Sequence, residues 1–578
     1  MAHLDNKALF FTTSPRTPVK MIPEIRLLCE QFGGQVWSGK NGVQEQFATA
    51  LSKADFFEGN TSKKYSAFSA RDRITRAPKA LGFVDLSPAI ALTEAGNAFV
   101  YGTRPQEVYL RQLLKFQLPS PYHIESNDIV GTFYVRPYLE IMRLVRELEY
   151  LTFDELKIFA LQLTDYRQFD NIKAAILRFR DEKHAHKGEY KKFVMEQWTQ
   201  AVLHIHKDRI QAGKIKTRES ADETLDSFVK KQRGNLRDYA DACFRYLRYT
   251  GLFVFSGYSL KVAQDKVAEL DYILSNVDRN PVFIDFMQIE NKSDKKRQFD
   301  IDTEAYKAHL FSATTPALYV DIKDNIVDTL MRVGGFTRRE LIDKTIDELK
   351  DLRDAIVQQR KDAVIRAEVE EIKSYALYSE IIDTYNEIIS DEYYDAPLMF
   401  EYNTWRAMTM LDGGDIKGNF NVDDAGKPLS TAQGNKPDIE CDYDDFVLSV
   451  EVTLQSGQRQ YETEGEPVAR HYGQMKQRTE KEAYCLFIAP TINPAALTHF
   501  YMLNQINNRY YGGKTQIVPL DLDQFMRLVE SSYNNANRPT PDDVQRFLNS
   551  AIEQVTMAAD EREWSERIQN CIDNWLVA

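Results

Sequence analysis

The chain has 578 residues, 43% hydrophobic and 28% charged, which calls for two to four globular domains rather than one core. No apolar run is long enough to span a bilayer, and residues 1–20 lack the apolar stretch of a signal peptide. Five cysteines without CxxC spacing (Cys29, Cys243, Cys441, Cys485 and Cys571) exclude a disulfide framework or zinc knuckle and suit a reducing cytoplasm. The net charge of −13 is unevenly placed: residues 1–250 carry 38 Lys and Arg against 30 Asp and Glu, a net +8 that leaves −21 for the remainder. A basic half can supply phosphate contacts while an acidic half holds cations, although charge drifting along a soluble protein would look the same.

In chain order, residues 69–77 predict a basic helix carrying Arg71, Arg73 and Arg76, stopped by Pro78 with Lys79 just beyond. It leads to the apolar stretch Gly82-Phe83-Val84, a turn at Ser87-Pro88, a second stretch Ile90-Ala91-Leu92 and a helix start at Thr93. Residues 237–249 repeat the outline: a helix with Arg245 and Arg248, an apolar stretch 251–255, a turn at Ser256-Gly257, the stretch Leu260-Lys261-Val262 and another helix. Helix, strand, turn, strand is the order of a winged helix, in which a helix enters the major groove of DNA and the hairpin lies on the backbone. Residues 137–149 and 153–163 between them carry apolar residues at helical spacing and predict packing rather than chemistry. His204 and His206, two apart on a helix, diverge too far to share a metal.

Residues 324–391 predict almost continuous acidic helix, with Leu341, Ile346, Leu349, Leu352 and Ile356 as one buried stripe. Such a connector can act as a rigid spacer between two working domains. Beyond it strands and helices alternate. A helix is expected at 398–410, strands at 439–442, 446–453, 483–489 and 515–520, and helices at 494–507 and from Pro467, as first residue, to about 482. That alternation implies a sheet covered on both faces.

Chemistry concentrates in Lys436-Pro437-Asp438 and Glu451-Val452-Thr453. A carboxylate inside the apolar run 447–452 needs a cation, a hydrogen-bond network or access to water. Magnesium takes a few carboxylate oxygens plus waters, and the Val452 carbonyl can complete a set begun by Asp438 and Glu451. A salt-bridged glutamate on an edge strand is the structural alternative. The spacing resembles the PD-(D/E)xK nuclease core, except that Thr453 stands where that pattern has lysine. Gln460, Glu464, Arg470 and His471 follow as residues that could take the missing role.

Longer stretches carry a more specific resemblance. Gly434-Asn435-Lys436-Pro437-Asp438, Val450-Glu451-Val452-Thr453 and Glu464-Gly465-Glu466-Pro467-Val468-Ala469-Arg470-His471-Tyr472 resemble the AlwI family of type IIS restriction endonucleases. Within it they are similar to the large subunit of a heterodimeric nicking enzyme. Ser14-Pro15-Arg16 and residues 67–73, 245–253 and 484–490 extend the likeness over most of the chain. The resemblance implies a multidomain α+β protein. Residues 1–270 would form winged-helix-like recognition subdomains, 271–390 a mainly helical linker, and 391–578 a PD-(D/E)xK-type α/β nuclease domain. It places catalytic acids on Glu401, Asp438, Glu451 and Glu464, puts His471 on a family histidine, and makes the threonine after the Glu-Val pair a family trait. It further implies a bacterial, cytoplasmic enzyme that binds a short asymmetric site in double-stranded DNA and cuts a few base pairs away with Mg2+. Duplex cleavage would need a second nuclease domain, from another copy or a small subunit, and a cognate methyltransferase would accompany the system. Arg71 and Arg73 are the expected base contacts, because a guanidinium can engage guanine bidentately. Asp72 would accept from cytosine or hold an arginine. Arg16, Lys20, Lys63, Lys64, Arg76 and Lys79 are expected at phosphates. A repair or mobile-element nuclease of the same core, and an inactive DNA-binding regulator, are the alternatives.

Overall fold

The computed structural model describes all residues except 1, 5, 40–41, 55, 58–65, 126–130, 187–188, 217–221, 286–299, 391, 412–413, 423–425, 433–435, 536–537 and 577–578. Lys63, Lys64, Gly434 and Asn435 therefore lie outside the described residues. The chain forms two compact units, Met1–Asp354 and Ala355–Ala578. The boundary falls inside the segment 271–390 that the sequence sets apart as helical, within the long helix Ile346–Lys373.

The first unit is mainly helical, with small sheets. Helix Ser66–Thr75 is followed by the short helix Ala77–Ala80, the two-residue antiparallel strands Val84–Asp85 and Ala91–Leu92, and helix Glu94–Tyr101. Pro78 does not end a helix; it opens the second one, in the first turn, where a missing N–H costs nothing. Thr93 caps the last helix by accepting the Gly96 amide at 2.9 Å. The second outline is longer than the sequence suggests, because its helix spans Leu225–Tyr249 from the capping residue Thr224. Strands Phe253–Ser256 and Ser259–Val262 form its hairpin, and Tyr150–Thr152 adds a third strand that no local pattern marks. Helix Pro137–Glu147 matches its apolar periodicity, whereas the next helix stops at Ile158 and tightens into a 3-10 turn at Ala160–Gln162. Stacked and edge-on rings join these elements: Tyr246 lies 6.0 Å from Tyr138 and 5.7 Å from Tyr109, and Tyr109 lies 5.0 Å from Tyr249. Of the expected apolar stripe, Leu341 and Leu349 are buried but Ile346 is 37% exposed, so the helix start at Ile346 turns that side chain outward.

In the second unit, helix α1 (Ala396–Leu411) precedes strand β1 (Asp415–Gly418), β2 (Ile439–Asp442) and β3 (Phe446–Val452). Helix α2 (Gln458–Arg478) leads to β4 (Glu482–Ala489), α3 (Pro494–Gln505), β5 (Ile517–Asp521) and α4 (Leu522–Asn534). The sheet runs in the order β1-β2-β3-β4-β5; its first three strands pair antiparallel with their neighbours, and β3, β4 and β5 are parallel. In β4 every side chain from Ala483 to Ala489 is buried, which requires both faces to be covered. Pro467 corrects one expectation: it lies inside α2, not at its first position. An internal proline costs a helix about 3 kcal/mol, and here tertiary packing of the segment before it, on α3 and the β3 end, outweighs that cost.

Candidate active site

Asp438 and Glu451 meet at one end of the strands because β2 and β3, both interior to the sheet, are antiparallel neighbours, with Ile439 opposite Val450. That register brings Asp438, which immediately precedes β2, beside the end of β3. The Val452 amide donates to Asp438 Oδ2 at 2.8 Å. Asn419, which the sequence did not single out, secures the approach. Its amide donates to the Asp438 carbonyl at 2.9 Å, and its side-chain amide donates to the Pro437 carbonyl at 2.8 Å and to Glu440 Oε1 at 3.2 Å. No spacing in the sequence reveals a residue that acts by bracing backbone across a sheet.

Glu451 lies inside β3 and is 7% exposed. Burial pushes its carboxyl well above the usual range, and neighbouring Glu464 pushes it further, against the opposing pull of Arg470. Its Oε1 pairs with His471 Nδ1 at 2.8 Å, so His471 on α2 orients the strand carboxyl. Thr453, in the position expected for lysine, donates its hydroxyl to Glu464 Oε1 at 3.0 Å. Glu464 also sits in α2, and burial raises its carboxyl in spite of that bond. Glu401, on α1, accepts the Ala432 amide at 3.1 Å. Its carboxyl is raised first by burial, then by Asp438, and more weakly by Asp395 and Glu451. All four acids singled out in the sequence thus share one electrostatic neighbourhood, and Asp395, which no sequence motif marks, borders it. Gln460 serves the scaffold instead. Its side-chain amide donates to the Gln455 and Thr491 carbonyls at 2.9 Å each, and its Oε1 accepts the Asn493 amide at 2.7 Å. It fastens α2 to neighbouring loops.

This donor set fits a hard divalent cation. Glu401 and Glu451 are buried and Glu464 is half-buried, all three with carboxyls raised by desolvation, and among the described residues neither Glu401 nor Glu464 has a lysine or arginine partner. Among those residues no three His, Cys, Asp or Glu side chains close around a single point. Carboxylate oxygens of this kind suit an ion that takes one or two carboxylates and keeps several waters, as magnesium does.

In the first unit the basic residues are more engaged than their sequence suggests. Arg73 Nε donates to Glu24 Oε1 at 2.9 Å, and Glu24 is only 1% exposed. Asp72 holds both Arg71 at 3.1 Å and Arg76 at 2.8 Å, the arginine-holding role rather than an open acceptor. Arg16 is exposed and pairs with Asp238 at 3.2 Å and Asp241 at 3.3 Å. Lys20 is half-buried, and Lys79 stands over the Tyr122 ring at 5.2 Å. His206 is buried at the end of helix Tyr190–Ile205, while His204 is exposed, so the two share no site.

A family model, AlwI restriction endonuclease, matches residues 79–528. No curated protein matches the chain. Among solved structures, the small subunit (R.BspD6I2) of the heterodimeric restriction endonuclease R.BspD6I is 26% identical, covering 34% of this chain and 98% of that one at a TM-score of 0.29. The BpuJ1 endonuclease binding domain, solved with pyrene- and phenanthrene-modified DNA, is 13% identical, covering 51% of this chain and 92% of that one at a TM-score of 0.31. Both TM-scores are too low for either fold to be carried over.

Proposed function

The chain belongs to the AlwI restriction endonuclease family, and from that premise we propose that it is a magnesium-dependent type IIS enzyme. It binds a short asymmetric sequence in double-stranded DNA through winged-helix-like elements of the first unit. It hydrolyses a phosphodiester a few base pairs away in a PD-(D/E)xK-type second unit. The observation that carries this reading is the gathering of Glu401, Asp438, Glu451 and Glu464 where β2 begins and β3 ends, with His471 on Glu451.

In this reading Asp438 and Glu451, with the Val452 carbonyl, hold the ion. Bound there, magnesium supplies polarisation of the scissile phosphate and a lowered pKa for an attacking water. His471 fixes the Glu451 carboxylate. Glu464, tethered by Thr453, takes over water-positioning work that the absent lysine would share, and Glu401 shapes the field around Asp438. In recognition, Arg71 is the better placed base contact of the expected pair, since Arg73 is committed to buried Glu24 whereas Arg71 pairs with its partly exposed neighbour Asp72. A bacterial cytoplasmic setting with a cognate methyltransferase suits such an enzyme, and among the described residues no helix is long and apolar enough to cross a membrane.

Run-off sequencing of both strands of digested plasmid tests the reading. Cuts should fall at one fixed offset from one motif. Asp438→Ala and Glu451→Ala should abolish cutting while sequence-specific binding survives, and Glu464→Gln should slow the chemical step by orders of magnitude. Cleavage retained by either alanine variant, or cuts with no common offset, would overturn it.

A further inference from the structure

Helix Leu225–Tyr249 begins twelve residues before the basic stretch that its sequence advertises. Two arginines of that stretch are engaged within the fold: Arg248 is 5% exposed with its guanidinium over Phe255, and Arg245 is paired with Asp241 at 3.0 Å. The exposed cations of this helix are Lys230 and Arg237, and neither has a salt-bridge partner among the described residues. Between them, one turn from each, lies Gly234, itself exposed. The three share a face, because steps of four and three residues return to the same side of a helix.

Gly234 is the anomaly. A glycine in the middle of an exposed helix weakens it relative to alanine. Internal packing usually explains one, yet a Cβ built at Gly234 would meet nothing within 4 Å. Among the described residues nothing occupies the space that a side chain here would fill, which leaves room for a partner approaching the helix from outside. The neighbours name its charge, with a cation one turn before and one turn after. Asp241, further along the same face, is neutralised by Arg16 and Arg245.

The face is continuous with the first basic helix. Residues Thr13–Arg16 bridge the two: Thr13 Oγ1 accepts from Arg76 at 3.4 Å, the Ser14 carbonyl accepts the Ala77 amide at 3.2 Å, and the Pro15 carbonyl accepts the Tyr246 hydroxyl at 2.7 Å. Arg16 also pairs with Asp238 and Asp241 of the helix, so residues 13–16 join the exposed side of helix Leu225–Tyr249 to the first basic helix, with the charges of Arg16 and Arg76 met by aspartates and those of Lys230 and Arg237 left outward.

We propose that this face of helix Leu225–Tyr249 is a DNA-backbone contact, with Lys230 and Arg237 on successive phosphates and Gly234 admitting the sugar-phosphate chain against the helix. The inference rests on the DNA-cutting function proposed above and deepens it by naming where the duplex lies on the first unit. Phosphate contacts of this kind set register and affinity rather than sequence choice.

The test is binding to a short mixed-sequence duplex and to one carrying the mapped cleavage site, without divalent metal, across a range of salt. Gly234→Ala should leave the melting temperature unchanged or raised, yet weaken both duplexes about tenfold, equivalent to about 1.4 kcal/mol. Lys230→Gln and Arg237→Gln should each lower the slope of log affinity against log salt by about one. Gly234→Ala binding like the wild type, or a double Lys230→Gln/Arg237→Gln variant with the wild-type slope, would overturn the inference. A wild-type chain that binds neither duplex would instead remove the proposed function itself.

Discussion

Arg73 and Glu24 show how a residue read as a recognition element can be committed to the fold. Glu24 is 1% exposed, and burial raises its carboxyl even with Arg73 against it. Removing one partner of a buried ion pair leaves an uncompensated charge and costs about 3–5 kcal/mol, whereas replacing both costs far less. Arg73→Ala should therefore lower the urea midpoint of the protein sharply, and Glu24→Gln with Arg73→Met should recover most of the loss. An Arg73→Ala protein of normal stability that loses only its preferred duplex would mean that Arg73 reads a base. Asn419 is the counterpart at the active site, a positioning residue that touches the Pro437 and Asp438 backbone. Asn419→Ala should lower the single-turnover rate about 10–100-fold, the range typical of residues that orient metal ligands. Raised magnesium should restore part of that rate, and a purely structural role would show no such rescue.

Among the elements, α2 carries the most chemistry. It brings Glu464 and His471 to the end of β3 from positions seven residues apart, two turns of one helix. That is possible only because the helix continues through Pro467 instead of starting there. In the first unit, two histidines are buried neutral: burial depresses His123 to about 3 and His206 to about 4. Both folded values lie below the ordinary histidine value of about 6.5, so the unfolded chain binds more protons throughout that interval. The stability they allow is complete above about pH 6.5 and declines as pH falls, by up to about 1.4 kcal/mol per pH unit for each. His206 spends its share by about pH 4 and His123 by about pH 3. In urea titrations, the midpoint gap between wild type and His206→Gln should close between pH 6.5 and 4. A gap independent of pH would show that His206 is already protonated in the folded protein.

For the molecule as a whole, the charge division and the single acidic site set the expected stoichiometry. One chain holds one Pro-Asp and Glu-Val-Thr constellation, and the two strands of a duplex present their phosphates with opposite polarity. An isolated chain should therefore nick one strand of a plasmid. On this reading a duplex break would need a second nuclease domain, from another copy or from a separate small subunit. Nicks giving way to linear DNA as enzyme concentration rises would identify self-association, and nicks persisting at every concentration would identify a missing subunit. Linear product formed as fast as nicks by a proven monomer would refute the one-site, one-strand reading.

Local signals in the sequence sufficed for the last four strands of the second unit's main sheet, because the apolar runs at 446–452 and 483–489 leave almost no surface position, but not for β1, whose polar Asp415–Gly418 carries no such run. They singled out Asp438 and Glu451 as well, since a carboxylate in an apolar run or beside a proline turn is costly unless used, whereas Glu401 stood out only through the family resemblance. Thr93 and Pro137 likewise mark their helix starts by capping chemistry alone. What depended on tertiary structure was every relation between distant segments. The course of α2 through Pro467, the bracing by Asn419, the burial of Arg248 and the pairing of Arg73 with Glu24 come from long-range packing, which local propensity does not encode. The same holds for the meeting of residues 13–16 with two helices some 150 residues apart in sequence. Periodicity reports which face of an element is apolar; only the assembled core decides what that face is pressed against, and so which charged groups remain for DNA.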